Sequence, residues 1–385
     1  MAKSSSYDVA VIGAGVFGAW SALHLAKRGQ RVLLVDAYGP GHTRSSSGDE
    51  SRIIRMGYGA DEIYTQWSLR SLAQWKDLFA ATRNEALFRK TGVLWLAEEN
   101  NAQLSATQEV LARNAVPFEE LGRGELEKRY AQVNFEGIGT GILEPESGVL
   151  LARRAVAATA AEAVRRGAEF RLAAVKEVRG RGRAESVVTA GGEELRAGAF
   201  VFACGAWLGK LFPQILGSRI FPTRQAVFYF AIPAGDARFG SPALPTWLFK
   251  NDECYGMPDI ECRGLKVAID KHGEAVDPDT QSRIVTAQEV KEIQEYVAYR
   301  FPALGGAPIA ETRVCQYENT SSGDFLIDRH PELANVWFAG GGSGHGFKHG
   351  PAVGEHVARL LSGEASAEPR FSLASKKTQQ LRAVY

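Results

Sequence analysis

A chain of 385 residues is longer than one small core requires and is read as two domains. Its 45 basic and 44 acidic residues leave a formal charge of +1, which gives no electrostatic reason to expect nucleic acid or an anionic membrane as partner. Residues 1–6 are polar without a signal core, no run reaches the roughly 20 apolar residues of a membrane helix, and four scattered cysteines form neither a disulfide framework nor a zinc motif. A cytoplasmic protein with reduced thiols is expected.

Tyr7 to Ile12 is a short, nearly all-apolar run, the pattern of a strand buried on both faces of a parallel sheet. It leads into Gly13-Ala14-Gly15-Val16-Phe17-Gly18, then a helical stretch to Arg28 that Gly29 stops. Val32 to Val35 is a second strand and ends in Asp36, followed by Ala37. Each part has a physical task. Gly13 permits a tight turn, Gly15 lets a pyrophosphate reach the backbone, and Gly18 lets helix and strand approach. The helix N-terminus offers amide donors to phosphates, and Asp36, roughly 20 residues on, accepts from ribose hydroxyls and disfavours a 2′-phosphate. This is a dinucleotide site of the Rossmann type, and the motif does not choose between FAD and NAD.

Further along, a helix is predicted from about Asp61, with Trp67, Leu72, Trp75 and Phe79 as core. Ala152 to Arg166 is a helix closed by Gly167, followed by strand-like runs at Phe170–Val178, which includes Val175, and at Ser186–Thr189. Ala199 to Ala203 is a buried strand running into Cys204-Gly205-Ala206-Trp207. Val336 to Ala339 is another, opening onto the glycines from Gly340 to Gly346, with helix resuming at Gly354. Residues 84–145 and 216–318 carry β-type patterns, and a polar, loosely held tail is expected from about Ser372. The fold class is α/β: a Rossmann-type domain over 1–83, 146–215 and 321–385, interleaved with a discontinuous β-rich substrate domain over 84–145 and 216–320.

Several ordered motifs then resemble the monomeric sarcosine oxidase and N-methyltryptophan oxidase family of FAD-dependent amine oxidases. They are Gly13–Gly18 with Asp36, Ser51-Arg52-Ile53-Ile54-Arg55, Tyr255-Gly256, Gly264-Leu265-Lys266, Asp277-Pro278-Asp279-Thr280, Cys315-Gln316-Tyr317 and Ser343-Gly344-His345-Gly346-Phe347-Lys348. The resemblance implies an FAD domain and a substrate domain. It also implies oxidation of a secondary-amine amino acid to an imine, which water hydrolyses to amine plus aldehyde, while oxygen is reduced to hydrogen peroxide.

The resemblance also assigns roles. Cys315, by itself a small thiol whose default is packing, matches the cysteine that holds the flavin covalently. Arg55 and Lys348 would hold the substrate carboxylate, with Asp270 also at the substrate. Lys266 would assist reaction with oxygen, Arg52 would reach into the active site, and Tyr255 and Tyr317 would line it. Cofactor contacts are expected from Gly13, Gly15, Val16, Phe17, Gly18, Asp36, Ala37, Ser47, Arg52, Val175, Cys204, Gly205, Trp207, Cys315, Gly342, Gly344, His345, Gly346 and Lys348. A monomer is implied, with small amino acid and oxygen as partners. No general base is named.

The chain departs from the sarcosine-specific pattern at Ser46 and Ser47, which replace histidines, and at Asp270, which replaces another. A larger, more polar or cyclic amine is therefore as well supported as sarcosine. Fructosyl-amino-acid or pipecolate-type oxidation, or a dehydrogenase with another electron acceptor, are the alternatives. An NAD-dependent dehydrogenase would leave Cys315 and the late glycine run without a role. A flavoprotein retained only for binding would leave Arg55, Lys266 and Lys348 unexplained.

Overall fold

The computed structural model describes residues 7–380. Residues 1–6 and 381–385 lie outside them.

A six-stranded sheet forms one half of the architecture. Its spatial order is Leu326–Arg329, Val336–Gly340, Ala197–Phe202, Tyr7–Ile12, Val32–Asp36 and Glu169–Leu172. All neighbours are parallel except the edge strand Leu326–Arg329. The apolar runs predict this arrangement, because central parallel strands must be covered on both faces. The helix Val16–Lys27 covers one face and packs between helices Ala152–Arg165 and Gly350–Leu361. Trp20 and Trp75, each at most 1% exposed, meet edge to face with centroids 4.9 Å apart in that layer.

The other half is an eight-stranded sheet drawn from 93–144 and 221–319, antiparallel except where Val93–Ala97 runs beside Thr246–Phe249. Its two long strands, Phe221–Phe230 and Ile309–Asn319, pair along most of their length. A smaller antiparallel sheet pairs Gly148–Leu150 with Arg52–Ile54 on one side and Phe88–Arg89 on the other. No helix among the described residues is long and apolar enough to cross a membrane.

Three sequence expectations are corrected. The last long helix begins at Gly350, not Gly354, because Pro351 sits in the first turn, where its missing N–H costs nothing. The segments read as β-patterned also contain helices Ala102–Arg113 and Ala287–Arg300, the latter opened by a Thr286–Glu289 capping box. From Ser372 to Lys377 the chain is not loose. The Leu373 amide donates to Asp328 Oδ2 at 2.7 Å, the Lys377 amide donates to Ser321 Oγ at 2.9 Å, and Lys376 is 3% exposed. Polar side chains there serve as hydrogen-bond partners, which polarity alone conceals.

Candidate functional site

The C-terminal ends of the central strands open onto a cavity of about 270 Å³. Gly13 lines its floor, and Gly18 packs the helix behind it. Gly13 has φ +103°, and a β-carbon there would stand 2.3 Å from the Ala203 carbonyl oxygen. One on Gly18 would stand 1.8 Å from the Gly13 carbonyl oxygen, so the helix can seat on the strand only with hydrogen at that position. Gly15 is the N-cap of Val16–Lys27 and carries no capping side chain, which leaves that helix end facing the cavity. Ser47 Oγ accepts from the Val16 amide at 3.1 Å.

Asp36 lines the same cavity, with an additional task. Its Oδ2 accepts from the Ala14 amide at 2.7 Å, and its Oδ1 accepts from the Tyr38 and Gly39 amides at 2.8 Å each. It therefore shapes the glycine turn and leaves remaining lone pairs for a ligand. Ala37, Val175, Cys204, Gly205, Trp207, Gly342, Gly344 and Gly346 also line the cavity, as do Val16 and Phe17. Trp207 Nε1 donates to Asp279 at 2.7 Å, which brings the Asp277–Thr280 segment to the rim.

A second cavity, about 50 Å³, shares Arg52, Tyr317, Ser343, Gly344 and Phe347 with the first. Ile53, Arg55, Leu248, Tyr255, Asp270, His345 and Lys348 complete it. The Arg55 guanidinium lies 4.3 Å from the Tyr58 ring centre and 4.5 Å from that of Trp95 and is 5% exposed. Its turn is held by Glu144, which is fully buried and accepts from the Met56 amide (2.7 Å), the Gly57 amide (2.9 Å), Trp95 Nε1 (2.7 Å) and Ser147 Oγ (2.6 Å). Lys348 Nζ donates to Tyr58 Oη at 2.8 Å and to the His345 carbonyl oxygen at 3.0 Å. Burial and the neighbouring Arg55 push Lys348 well below the ordinary lysine range.

Opposite charge stands in the same space. Tyr317 Oη donates to Asp270 Oδ1 at 2.9 Å. Burial raises the Asp270 carboxyl, and Tyr317, Arg55, Lys250 and Lys348 oppose that rise. Burial also raises Tyr255 and Tyr317, so both phenols stay protonated donors.

Some expected residues stand elsewhere. Lys266 lines neither of these two cavities. It is 1% exposed and donates to Asp49 Oδ2 at 2.6 Å and to the Ser51 carbonyl oxygen at 2.9 Å, behind Arg52. Arg52 also pairs with Asp49 and is the side chain that reaches the shared wall. Cys315 is 7% exposed and lies just beneath that wall, with Arg52 Nη2 donating to its Sγ at 3.1 Å. Gly18 packs rather than lines, and His345 and Lys348 line only the smaller cavity.

Sequence reading missed Asp49, Glu144 and Glu318. Asp49 and Glu144 become important only when strands distant in sequence meet. Glu318 sits beside a recognised motif and carried no separate signal.

The glycine geometry makes a sharp prediction. Gly18→Ala should fail to fold or to bind the dinucleotide, because its β-carbon enters a backbone oxygen. Gly15→Ala meets nothing nearer than Ser47 Oγ at 3.5 Å, so its apoprotein should fold while dinucleotide affinity falls. Thermal melts and cofactor titration of both variants check this, and a stable Gly18→Ala protein of undiminished affinity would refute it.

Residues 8–360 match the family described as FAD dependent oxidoreductase. The chain is 32% identical over 367 residues to monomeric sarcosine oxidase of Bacillus sp. (strain NS-129), covering 93% of this chain and 94% of that one. It is 28% identical over 363 residues to N-methyl-L-tryptophan oxidase of Yersinia pestis (strain Pestoides F), covering 92% and 95%. L-proline dehydrogenase from P. horikoshii shares the fold at a TM-score of 0.83 and 23% identity, covering 96% and 97%. A family match over most of the chain agrees with a cavity whose glycine floor, open helix end and acidic Asp36 suit a dinucleotide. The chain belongs to the FAD-dependent oxidoreductase family and is a flavin enzyme.

Proposed function

We propose that the enzyme oxidises a secondary-amine amino acid, N-alkyl or cyclic, to an imine and passes the electrons to oxygen, giving hydrogen peroxide. The observation that carries this reading is the shared wall: a cavity with two cationic side chains, Arg55 and Lys348, abuts the dinucleotide cavity. Sequence similarity to a sarcosine oxidase and an N-methyl-L-tryptophan oxidase supports the same reaction class.

FAD, when bound, supplies the two-electron oxidant. The protein orients and selects. Arg55, immobilised between two aromatic rings, offers a directional donor pair to a carboxylate. An arriving carboxylate also favours protonated Lys348, whose charge burial and Arg55 disfavour in the free site. Asp270, held by Tyr317, presents an acceptor to the amine N–H. Tyr255 and Phe347 supply apolar wall and limit water.

Covalent attachment belongs to the same proposal. Cys315 Sγ lies beside the shared wall, and the Arg52 guanidinium 3.1 Å away offers a thiolate its counter-charge. We read 1–83, 146–215 and 321–385 as the cofactor unit and 84–145 and 216–320 as the substrate unit. The enzyme acts as a cytoplasmic monomer on small molecules, with neither nucleic acid nor membrane as partner, and a dimer mass by light scattering would overturn the monomer.

The test is spectral. The purified protein should be yellow, and acid should carry the colour into the pellet. Cys315→Ala should release it to the supernatant. Colour released from the unaltered protein would remove the covalent link. A panel of N-methyl and cyclic amino acids should yield peroxide. Reduction of the flavin by substrate without peroxide would favour the dehydrogenase alternative.

A further inference from the structure

Glu318 is a buried carboxyl that none of these roles uses. It follows Tyr317 on the strand Ile309–Asn319, is 8% exposed and lines the dinucleotide cavity. Its Oε1 accepts from the Gly342 amide at 3.2 Å. Its Oε2 is buried without a hydrogen-bond partner. Such an atom costs about 1–3 kcal/mol unless something satisfies it, and native interiors rarely leave one unsatisfied.

Three glycines stand against this carboxyl. β-Carbons on Gly205 and Gly340 would lie 3.4 and 3.6 Å from Oε2, and one on Gly342 would lie 3.2 Å from Oε1. Oε2 therefore sits over the ends of two neighbouring strands, Ala197–Phe202 and Val336–Gly340. The sheet order then says which part of FAD it meets. Across the strand ends come Asp36, suited to the adenosine ribose, then Gly13 to Val16, suited to the pyrophosphate, and then Gly205 with Gly342. Beyond these lies the wall shared with the substrate cavity, where the reacting ring belongs. The portion between pyrophosphate and ring is the ribityl chain with its three hydroxyls.

We propose that Glu318 Oε2 is a cofactor-binding atom that hydrogen-bonds a ribityl hydroxyl of FAD, an inference that rests on the FAD assignment. Burial lifts the Glu318 carboxyl to about 7 against the pull of the Gly342 and Gly341 amides. Near neutrality the group can therefore donate as well as accept, and it does not set a full negative charge against the nearby pyrophosphate.

The experiment uses apoprotein in a Cys315→Ala background, where binding is reversible, titrated with FAD and with its 2′-, 3′- and 4′-deoxyribityl analogues by flavin fluorescence. With Glu318 present, one analogue should bind about 10-fold more weakly than FAD. Glu318→Leu should weaken FAD by a similar factor and abolish the penalty for that same analogue, while Glu318→Gln retains most of the affinity. Equal affinity for all three analogues with Glu318 present overturns the proposal without needing a variant. So do losses from Glu318→Leu and from the analogue that simply add. Failure of the Glu318 protein to bind FAD at all would instead strike at the FAD assignment.

Discussion

Arg55→Met is expected to lower kcat/KM for amino-acid substrates by about 10²–10³-fold, chiefly through KM. The change removes the guanidinium that would pair with the substrate carboxylate, and truncating one partner of a buried, hydrogen-bonded charge pair costs about 2–5 kcal/mol. Methionine keeps much of the apolar stem between Tyr58 and Trp95, so the fold should survive. Lys348→Met should lose less, because burial already disfavours its charge in the free site. Steady-state kinetics on an accepted substrate, together with a carboxylate inhibitor's perturbation of the flavin spectrum, measure the effect. An unchanged KM with an unchanged inhibitor Kd would remove Arg55 from the substrate site.

Asp49→Asn should be the most destabilising of the charge substitutions in this half of the site. Asp49 is 3% exposed, and its Oδ2 accepts from Lys266 and Arg52 together. Removing its charge leaves two buried cations facing each other, a loss of about 3–5 kcal/mol. Lys266→Met should cost less, since Asp49 keeps Arg52. Urea midpoints at neutral pH compare the two, and an Asn variant as stable as the Met variant would refute the ordering. The pH dependence follows from the same contacts. Burial by itself would raise the Asp49 carboxyl, but Lys266, Arg52 and the Glu50 amide outweigh it and hold the group below its ordinary value of 3.8. That stabilisation is complete above the ordinary value and fades as pH falls further, so the unaltered protein should lose stability in strong acid more steeply than Asp49→Asn.

The two predictions rest on different levels of information. Arg55 was legible because a short motif carried it, yet its rigidity depends on Glu144, which no motif marks. Lys266 was legible as important. Its place behind Arg52, with Asp49 as partner, required the pairing of Leu265–Ile269 with Phe221–Phe230 to be known. The tail from Ser372 and the helix at Gly350 were misread for a common reason. Local polarity and glycine content describe what a segment does in isolation, and packing against Asp328, Ser321 and Trp20 supplies the rest.

The amino-acid order by itself determined the dinucleotide unit, because strand, glycine turn, helix start and acidic strand end are local features that operate over about 30 residues. It also determined the buried strands that run into glycine, since continuous apolar runs admit few other uses. Only the tertiary structure decided that two cavities share a wall, that Asp49 neutralises two cations, and that Glu318 lines the dinucleotide cavity with one oxygen unpartnered. The physical reason is range. Helix starts and strand patterns arise from neighbours along the chain, whereas the balance of charge in a dry interior depends on side chains brought together from opposite ends of it.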